Sequence, residues 1–362
     1  MNAAATRNEQ QPAARHSPMK TLQYRLTFLT PAFPGDAEQN ARWRTPPIKA
    51  QLRQWWRVAY AAERKFQVNE AAMREEEGRL FGNAWLENKF CKSQVRLRLE
   101  RWSDGSLRRN QWPTDTSVSH PEVPQPVGSH LYLGYGPLVY DRQTRKTALK
   151  ANAAIQGGES ALVSLAYPDT PLIDAALWLM DRYGALGGRS RNGWGSYALE
   201  PAGDTPALTG KLPRRPWRDC LQLDWPHAIG VDDKGPLIWQ TAPDTDWKSL
   251  MRTLAVIKIG LRTQFKFPNT SPPHKNIEPR HWLSYPITKH ATSAWDRGAR
   301  LPNQLRFKVR EAGDGNLVGV IFHVPHLPPP AFRPERTAIE QVWQKVHRFL
   351  DDPKQGLKRI PV

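Results

Sequence analysis

Cysteine is nearly missing from this chain. Only Cys91 and Cys220 occur in 362 residues, too few for a disulfide framework and not spaced as a C-x-x-C metal site. That usage fits a reducing cytoplasm, with a buried structural thiol as the default reading of each. Long apolar runs are missing too, since none approaches the roughly 18 residues a membrane span needs. Met1 to Lys20 is polar and rich in Ala, Gln and Arg, without the apolar core of a signal peptide. Residues 1–20 therefore read as a disordered tail, and no membrane partner is expected. Acidic side chains are the third shortage: 34 Asp and Glu stand against 52 Lys and Arg, a formal net charge of +18. So large an excess speaks about partners, and with the membrane option weak it favours nucleic acid.

What is there in plenty is glycine, at one place. The stretch GALGGRSRNGWGS, Gly184 to Ser196, holds five glycines, Arg189, Arg191 and Trp194 behind an apolar helical pattern. Ordering such a segment costs backbone entropy, so something must compensate. Glycines that permit positive φ and close backbone approach, set beside two guanidinium groups, suit a polyanion that meets main chain and charge together. A nucleotide-binding P-loop is excluded because its Lys and hydroxyl ligand are missing after Gly188. A dinucleotide fingerprint is excluded because a helix, not a strand, precedes the loop. No cofactor and no metal are expected. The bland alternative is a helix C-cap followed by a wide turn.

Two helical patterns carry rows of cations. In TPPIKAQLRQWWRVAYAAERK, Thr45 is a candidate N-cap, Pro46 and Pro47 fit the first turn, and Ile48, Leu52, Trp55, Trp56 and Ala59 form the apolar stripe. Beside that stripe Lys49, Arg53 and Arg57 step by four, and no acid follows until Glu63. This row reads as a phosphate-tracking edge. In Trp247 to Phe265 the stripe is Leu250, Leu254, Ile257, Leu261 and Phe265, and Lys258, Arg262 and Lys266 again step by four.

Length favours two domains. Pro-rich stretches at Trp112 to Gly128, Pro268 to Pro279 and Pro325 to Pro334 read as long loops, and Pro201 to Pro216 as the interdomain linker. In the first half the patterns predict a strand over Leu22 to Thr30, a helix over Pro46 to Lys65, strands over Val95 to Trp102 and Leu131 to Val139, a helix over Pro171 to Leu186, and a short strand over Gly195 to Leu199. In the second they predict strands over Cys220 to Trp225, Leu305 to Arg310 and Leu317 to Val324, with helices over Trp247 to Phe265 and Pro334 to Leu350. The expected fold class is α+β: two ferredoxin-like (RRM-like) β-α-β-β-α-β domains, residues 21–200 and 217–362, joined by residues 201–216.

On these residues a family resemblance rests. LTFLTPAFPGDAEQNARWRTPPIKAQLRQWWR, Leu26 to Arg57, resembles the opening of Cmr-type RAMP proteins of type III-B CRISPR effector complexes. LGGRSRNGWGS, Leu186 to Ser196, is similar to the glycine-rich loop of that superfamily, and RLPNQLRFKVRE, Arg300 to Glu311, resembles a weaker late motif. About half the chain is covered; Arg64 to Asn152 and most of Pro201 to Ala299 are not. The resemblance implies a non-catalytic RNA-binding subunit of a ribonucleoprotein in antiviral defence. Its partners would be guide RNA, target RNA and the other subunits, and it would sit near the guide 3′ end. Carried over by residue, Lys49 and Arg53 belong to the helix-start motif, and Gly187, Gly188, Arg189, Arg191, Gly193 and Trp194 to the loop. Trp194 stands where Phe is usual, with a stacking or packing role, and Asn192 where a second basic residue often stands. Two other readings remain open. One is a RAMP-type endoribonuclease using Asp36 or a His as acid or base. The other is an RNA-binding module outside CRISPR. Asp36 reads as a solvated turn residue beside Gly35, and His323 and His326 as structural.

Overall fold

The computed structural model describes residues 18–84 and 90–361. Most of the expected tail, residues 1–17, lies outside that range. Strand β1 (Met19–Phe28) alternates as its sequence requires, with Leu22, Tyr24, Leu26 and Phe28 inward. Helices α1 (Thr45–Glu63) and α2 (Glu70–Phe81) follow, then strand β2 (Arg96–Leu99). After a long excursion that contains helix α3 (Ser129–Gly134) come strand β3 (Ser160–Pro168), helix α4 (Pro171–Tyr183) and strand β4 (Tyr197–Pro201). The sheet order is β4-β1-β3-β2, every pair antiparallel. Helices α1 and α4 pack against each other, joined at Trp55 and Tyr183 with ring centroids 6.0 Å apart.

The second half repeats the plan. Strand β5 (Ile238–Gln240), helix α5 (Trp247–Thr263), strands β6 (Leu305–Gly313) and β7 (Asn316–His323), helix α6 (Arg336–Asp351) and strand β8 (Lys358–Arg359) form a sheet in the order β6-β7-β5-β8, again antiparallel. Gly260 of α5 lets Phe349 of α6 approach, for a Cβ there would stand 2.6 Å from the ring. The class is mixed α+β, and among the described residues no helix is long and apolar enough to cross a membrane.

Three expectations need correction. Leu131 to Val139 is not one strand, and only Leu138 and Val139 fall in a strand, at the start of the short Leu138–Asp141. The first part of the segment is α3, whose first-turn amides at His130 and Leu131 donate to the Asp115 carboxylate at 2.8 and 3.0 Å, a distant cap that outweighs the β-favouring aromatic pattern. The strand that completes the first sheet is β3, with Ala161, Val163, Leu165 and Tyr167 buried in strict alternation. Cys220 to Trp225 is likewise no strand, because Asp219–Gln222 winds into a 3-10 turn and the short β5 takes the place in the sheet. Helix α1 also starts with Arg44, not Thr45, at its N-cap position, and without a side-chain cap. Pro46 and Pro47 do occupy its first turn, and Trp55 and Trp56 are core residues, 1% and 0% exposed. Of the two thiols, Cys220 is buried and Cys91 only partly so.

Candidate nucleic-acid interface

The glycine-rich loop is stitched to the segment after β1. Gly188 N–H donates to Phe33 C=O at 2.9 Å, Gly195 N–H to Pro31 C=O at 2.9 Å, and Thr30 Oγ1 to Gly193 C=O at 2.8 Å. Backbone crowding decides which glycines are needed. Gly187, with φ +91°, has Phe33 carbon 2.5 Å from where a Cβ would sit, and Gly195, with φ +68°, has Leu186 oxygen at 1.9 Å. Gly193 also has positive φ, whereas Gly188 does not. Arg189 itself lies in the left-handed region, φ +58°, a conformation uncommon for a non-glycine residue and frequent at functional turns.

Trp194 does not reach solvent. It is wholly buried among Phe33, Trp112, His130 and Trp247, with ring centroids between 5.5 and 5.8 Å, so its role is packing and not stacking on a ligand. Because Trp247 opens α5, this cluster ties the loop to the second half. Further ties run alongside. Phe307 N–H donates to Arg191 C=O at 3.0 Å, and Val309 N–H to Ser196 Oγ at 2.9 Å. Asn192, where the loop lacks a basic residue, is buried: its amide nitrogen donates to Leu133 C=O at 2.7 Å, and its oxygen accepts from Lys258 Nζ at 2.5 Å.

These contacts shape a cleft of about 960 Å³ between the two halves. Arg189, Arg191, Lys258, Arg262, Arg300 and Arg306 line it, and among the described residues no Asp, Glu or His does. Arg306 of β6 is 8% exposed and faces the Trp55 ring and the Gln54 amide, whose oxygen accepts at 2.8 and 3.0 Å when turned toward the guanidinium. Its Nε and that of Arg262 are buried without a hydrogen-bond partner among the described residues. Lys258 is 7% exposed with a neutral amide for company. Burial, and then the neighbouring Arg262 and Arg189, hold the Lys258 ammonium well below its usual range; burial and Arg191 push Arg306 down to about 9. Arg189 and Arg191 reach solvent yet lie inside the concavity, and the surrounding protein lowers both. Charges buried without counter-charges cost free energy that an anion entering the cleft would recover. The opposite wall is Ser284–Thr288 against Arg300–Asn303, locked by reciprocal backbone bonds between Tyr285 and Leu301 at 2.8 and 3.0 Å.

The cationic row of α1 is elsewhere. Lys49 Nζ donates to Ser93 Oγ at 2.6 Å, while Arg53 and Arg57 both clasp Glu77 of α2, with closest approaches of 2.8 and 2.6 Å. Glu77 is 2% exposed. Burial alone would raise its carboxyl, but hydrogen bonds and charge from the two guanidinium groups hold it below the ordinary value. Removing both arginines leaves a buried carboxylate alone. Arg53→Gln with Arg57→Gln is therefore expected to lower stability by about 3 kcal/mol in urea unfolding, and Glu77→Gln added to that pair to restore part of the loss.

The structure thus brings Gly187, Gly188, Arg189, Arg191, Gly193, Lys258 and Arg262 to one place or its immediate support, and leaves Lys49, Arg53 and Arg57 outside it. Lys266 lies beyond the end of α5 and does not line the cleft. Sequence reasoning missed Arg300, Arg306, Gln54 and Tyr135, although the first two fall inside the late motif Arg300 to Glu311. Asp36 is a half-buried turn residue whose Oδ1 accepts from Glu38 and Asn40 N–H at 2.9 and 3.0 Å. His323 pairs with His347, Nδ1 to Nε2 at 3.0 Å, and His326 Nδ1 meets Val324 C=O at 3.0 Å.

Comparison with known proteins gives one family match: residues 25–198 fit the model described as the RAMP superfamily. A search of curated proteins finds no match. Among solved structures the chain is similar to Cmr1 from Pyrococcus furiosus in its apo form, at 14% identity and TM-score 0.46, over 94% of this chain and 98% of that one. It is also similar to a chain of a type III-B Cmr-beta complex bound to cognate target RNA, at 11% identity and TM-score 0.43, over 90% and 99% of the two chains. A further Cmr-beta structure, with cognate target RNA, AMPPnP and single-stranded DNA, matches at 11% identity and TM-score 0.42, over 92% and 100%.

Proposed function

We propose that this chain, whose residues 25–198 match the RAMP superfamily, is a non-catalytic RNA-binding subunit of a type III-B CRISPR ribonucleoprotein. It would hold guide or target RNA near the guide 3′ end, in the cytoplasm, beside the other subunits. The observation that carries the RNA-binding reading is the cleft lined by six cations and no acid. Phosphodiesters spaced along a single strand suit such a surface, because each can take a hydrogen bond and a charge from a group already desolvated. The assignment to a Cmr-type subunit rests on the motifs Leu26 to Arg57 and Leu186 to Ser196. We read the two sheets, strand-helix-strand-strand-helix-strand with the fourth strand beside the first, as ferredoxin-like units over residues 21–200 and 217–362. The non-catalytic part of the reading rests on the resemblance carried by the motifs Leu26 to Arg57 and Leu186 to Ser196.

The test uses the purified chain and a labelled unstructured RNA. It is expected to bind with strongly salt-dependent affinity, to gain thermal stability from the RNA, and to leave it intact with or without magnesium. Cleavage that Asp36→Ala abolishes would establish the nuclease reading instead. Absence of binding at low salt would defeat the RNA-binding function.

A further inference from the structure

Tyr135 stands at the edge of the cleft and is 65% exposed, an unusual place for a large aromatic side chain. Its ring meets no other aromatic ring among the described residues, although the preceding Gly134 packs on the buried Trp194, whose Nε1 is 3.0 Å from where a Cβ would sit. The backbone beneath Tyr135 is fixed. The residue directly follows α3, Leu133 C=O is held by Asn192, and Gly136 N–H donates to Leu138 C=O at 3.1 Å. Arg189, whose backbone is in the left-handed region, lies beside this turn, its Nη2 3.5 Å from where a Cβ on Gly136 would sit. An exposed aromatic face and a guanidinium plane on a rigid rim, above buried cations that suit a phosphate, make the arrangement that receives an unpaired base.

We propose that Tyr135, flanked by Arg189, is a base-stacking platform that makes the cleft select single-stranded over duplex nucleic acid. The inference rests on the RNA-binding reading above and adds what that reading lacks, a source of selectivity beyond charge. A phosphate backbone alone satisfies the cations whether its bases are paired or not. A platform for a splayed base is satisfied only by an unpaired strand, because bases in a duplex already stack on their neighbours.

The experiment measures binding of oligouridine, of the same length as a blunt duplex with oligoadenosine, and of inorganic polyphosphate. The unaltered full-length chain is compared with Tyr135→Ala, Tyr135→Trp and, as a control, Tyr140→Ala, whose ring is 55% exposed but does not line the cleft. Tyr135→Ala is expected to weaken oligouridine binding by about fivefold or more while leaving polyphosphate and duplex binding unchanged. Tyr135→Trp is expected to retain or strengthen it, and Tyr140→Ala to change nothing. Equal oligouridine affinity for Tyr135→Ala and the unaltered chain would overturn the platform and leave the RNA-binding reading standing. A parallel loss of polyphosphate binding would also overturn it, by making Tyr135 a support of the cleft. Failure of the unaltered chain to bind oligouridine would defeat the RNA-binding reading and the platform together.

Discussion

Replacing Arg189, Arg191, Lys258 and Arg262 together by glutamine is expected to reduce affinity for unstructured RNA by about a hundredfold at low salt. The magnitude of the salt slope should fall by about 0.7 for each phosphate that is no longer neutralised. Glutamine is one atom shorter than lysine and shorter still than arginine, but it keeps a polar, hydrogen-bonding end at each position, including the one where Lys258 meets the Asn192 amide. What is removed is charge. Because these cations crowd one another, with Glu122 offsetting Arg262 alone, the same variant is expected to melt no lower than the unaltered chain. Loss of binding with stability retained separates an interface from a scaffold. An unchanged slope measured from fluorescence anisotropy between about 50 and 200 mM salt would remove the cleft from the interface. Arg53 and Arg57 provide the internal contrast, since their substitution should cost stability and leave the affinity of the folded chain untouched.

Acid is expected to destabilise the fold steeply, through histidines that the cleft does not use. His227, His323, His326 and His347 are buried, with relative exposures of 0, 0, 6 and 5%. Burial pushes His227 down to about 4 and His326 and His347 to about 3, and holds His323 well below its ordinary value. In the unfolded chain each takes up a proton near pH 6.5. Their contribution to stability is therefore complete above pH 6.5 and drains away as the pH falls toward their depressed folded values. The slope is up to about 1.4 kcal/mol per pH unit for each histidine, so four of them make a loss of several kcal/mol between pH 7.5 and 5.5. Urea unfolding at those two values measures it. His347→Gln, which removes one partner of the His323 pair, should flatten the dependence; a pH-independent midpoint would show that these imidazoles titrate in the folded state as they do in the unfolded one.

Much of the fold was legible because it is written in short-range periodicity. The stripes of α1, α4, α5 and α6 and the alternation of β1 announce one buried face each, and burial follows them, whereas β6 and β7 are apolar enough to be read as strands but are buried on both faces. The failures share a physical cause, which is that a distant residue decides a local conformation. Asp115 makes a helix of Ser129–Gly134 from across the loop, and three residues suffice for β5 because neighbours on both sides complete it. The site divides in the same way. The two loop arginines with Lys258 and Arg262 could be named from motif and spacing, and they converge. The row at Lys49, Arg53 and Arg57 has the same sequence signature, yet Glu77, which neutralises it, lies 20 residues from Arg57 on another helix. Arg306 went unnoticed because a single arginine in an alternating strand looks like its solvent face, and only the packing of β6 against the loop turns it inward.

Proline-rich composition from Pro201 to Pro216 suggests a joint about which two bodies swing. The tryptophan cluster says otherwise, since Trp247 is seated in a group otherwise drawn from the first half, and Arg191, Asn192 and Ser196 are bonded to Phe307, Lys258 and Val309. The connecting segment is itself fastened down, with Gly210 against the Trp178 ring, Leu208 and Leu212 on the core and Arg214–Pro216 paired with Ile229–Val231, so it behaves as a strap laid along the seam and not as a hinge across it.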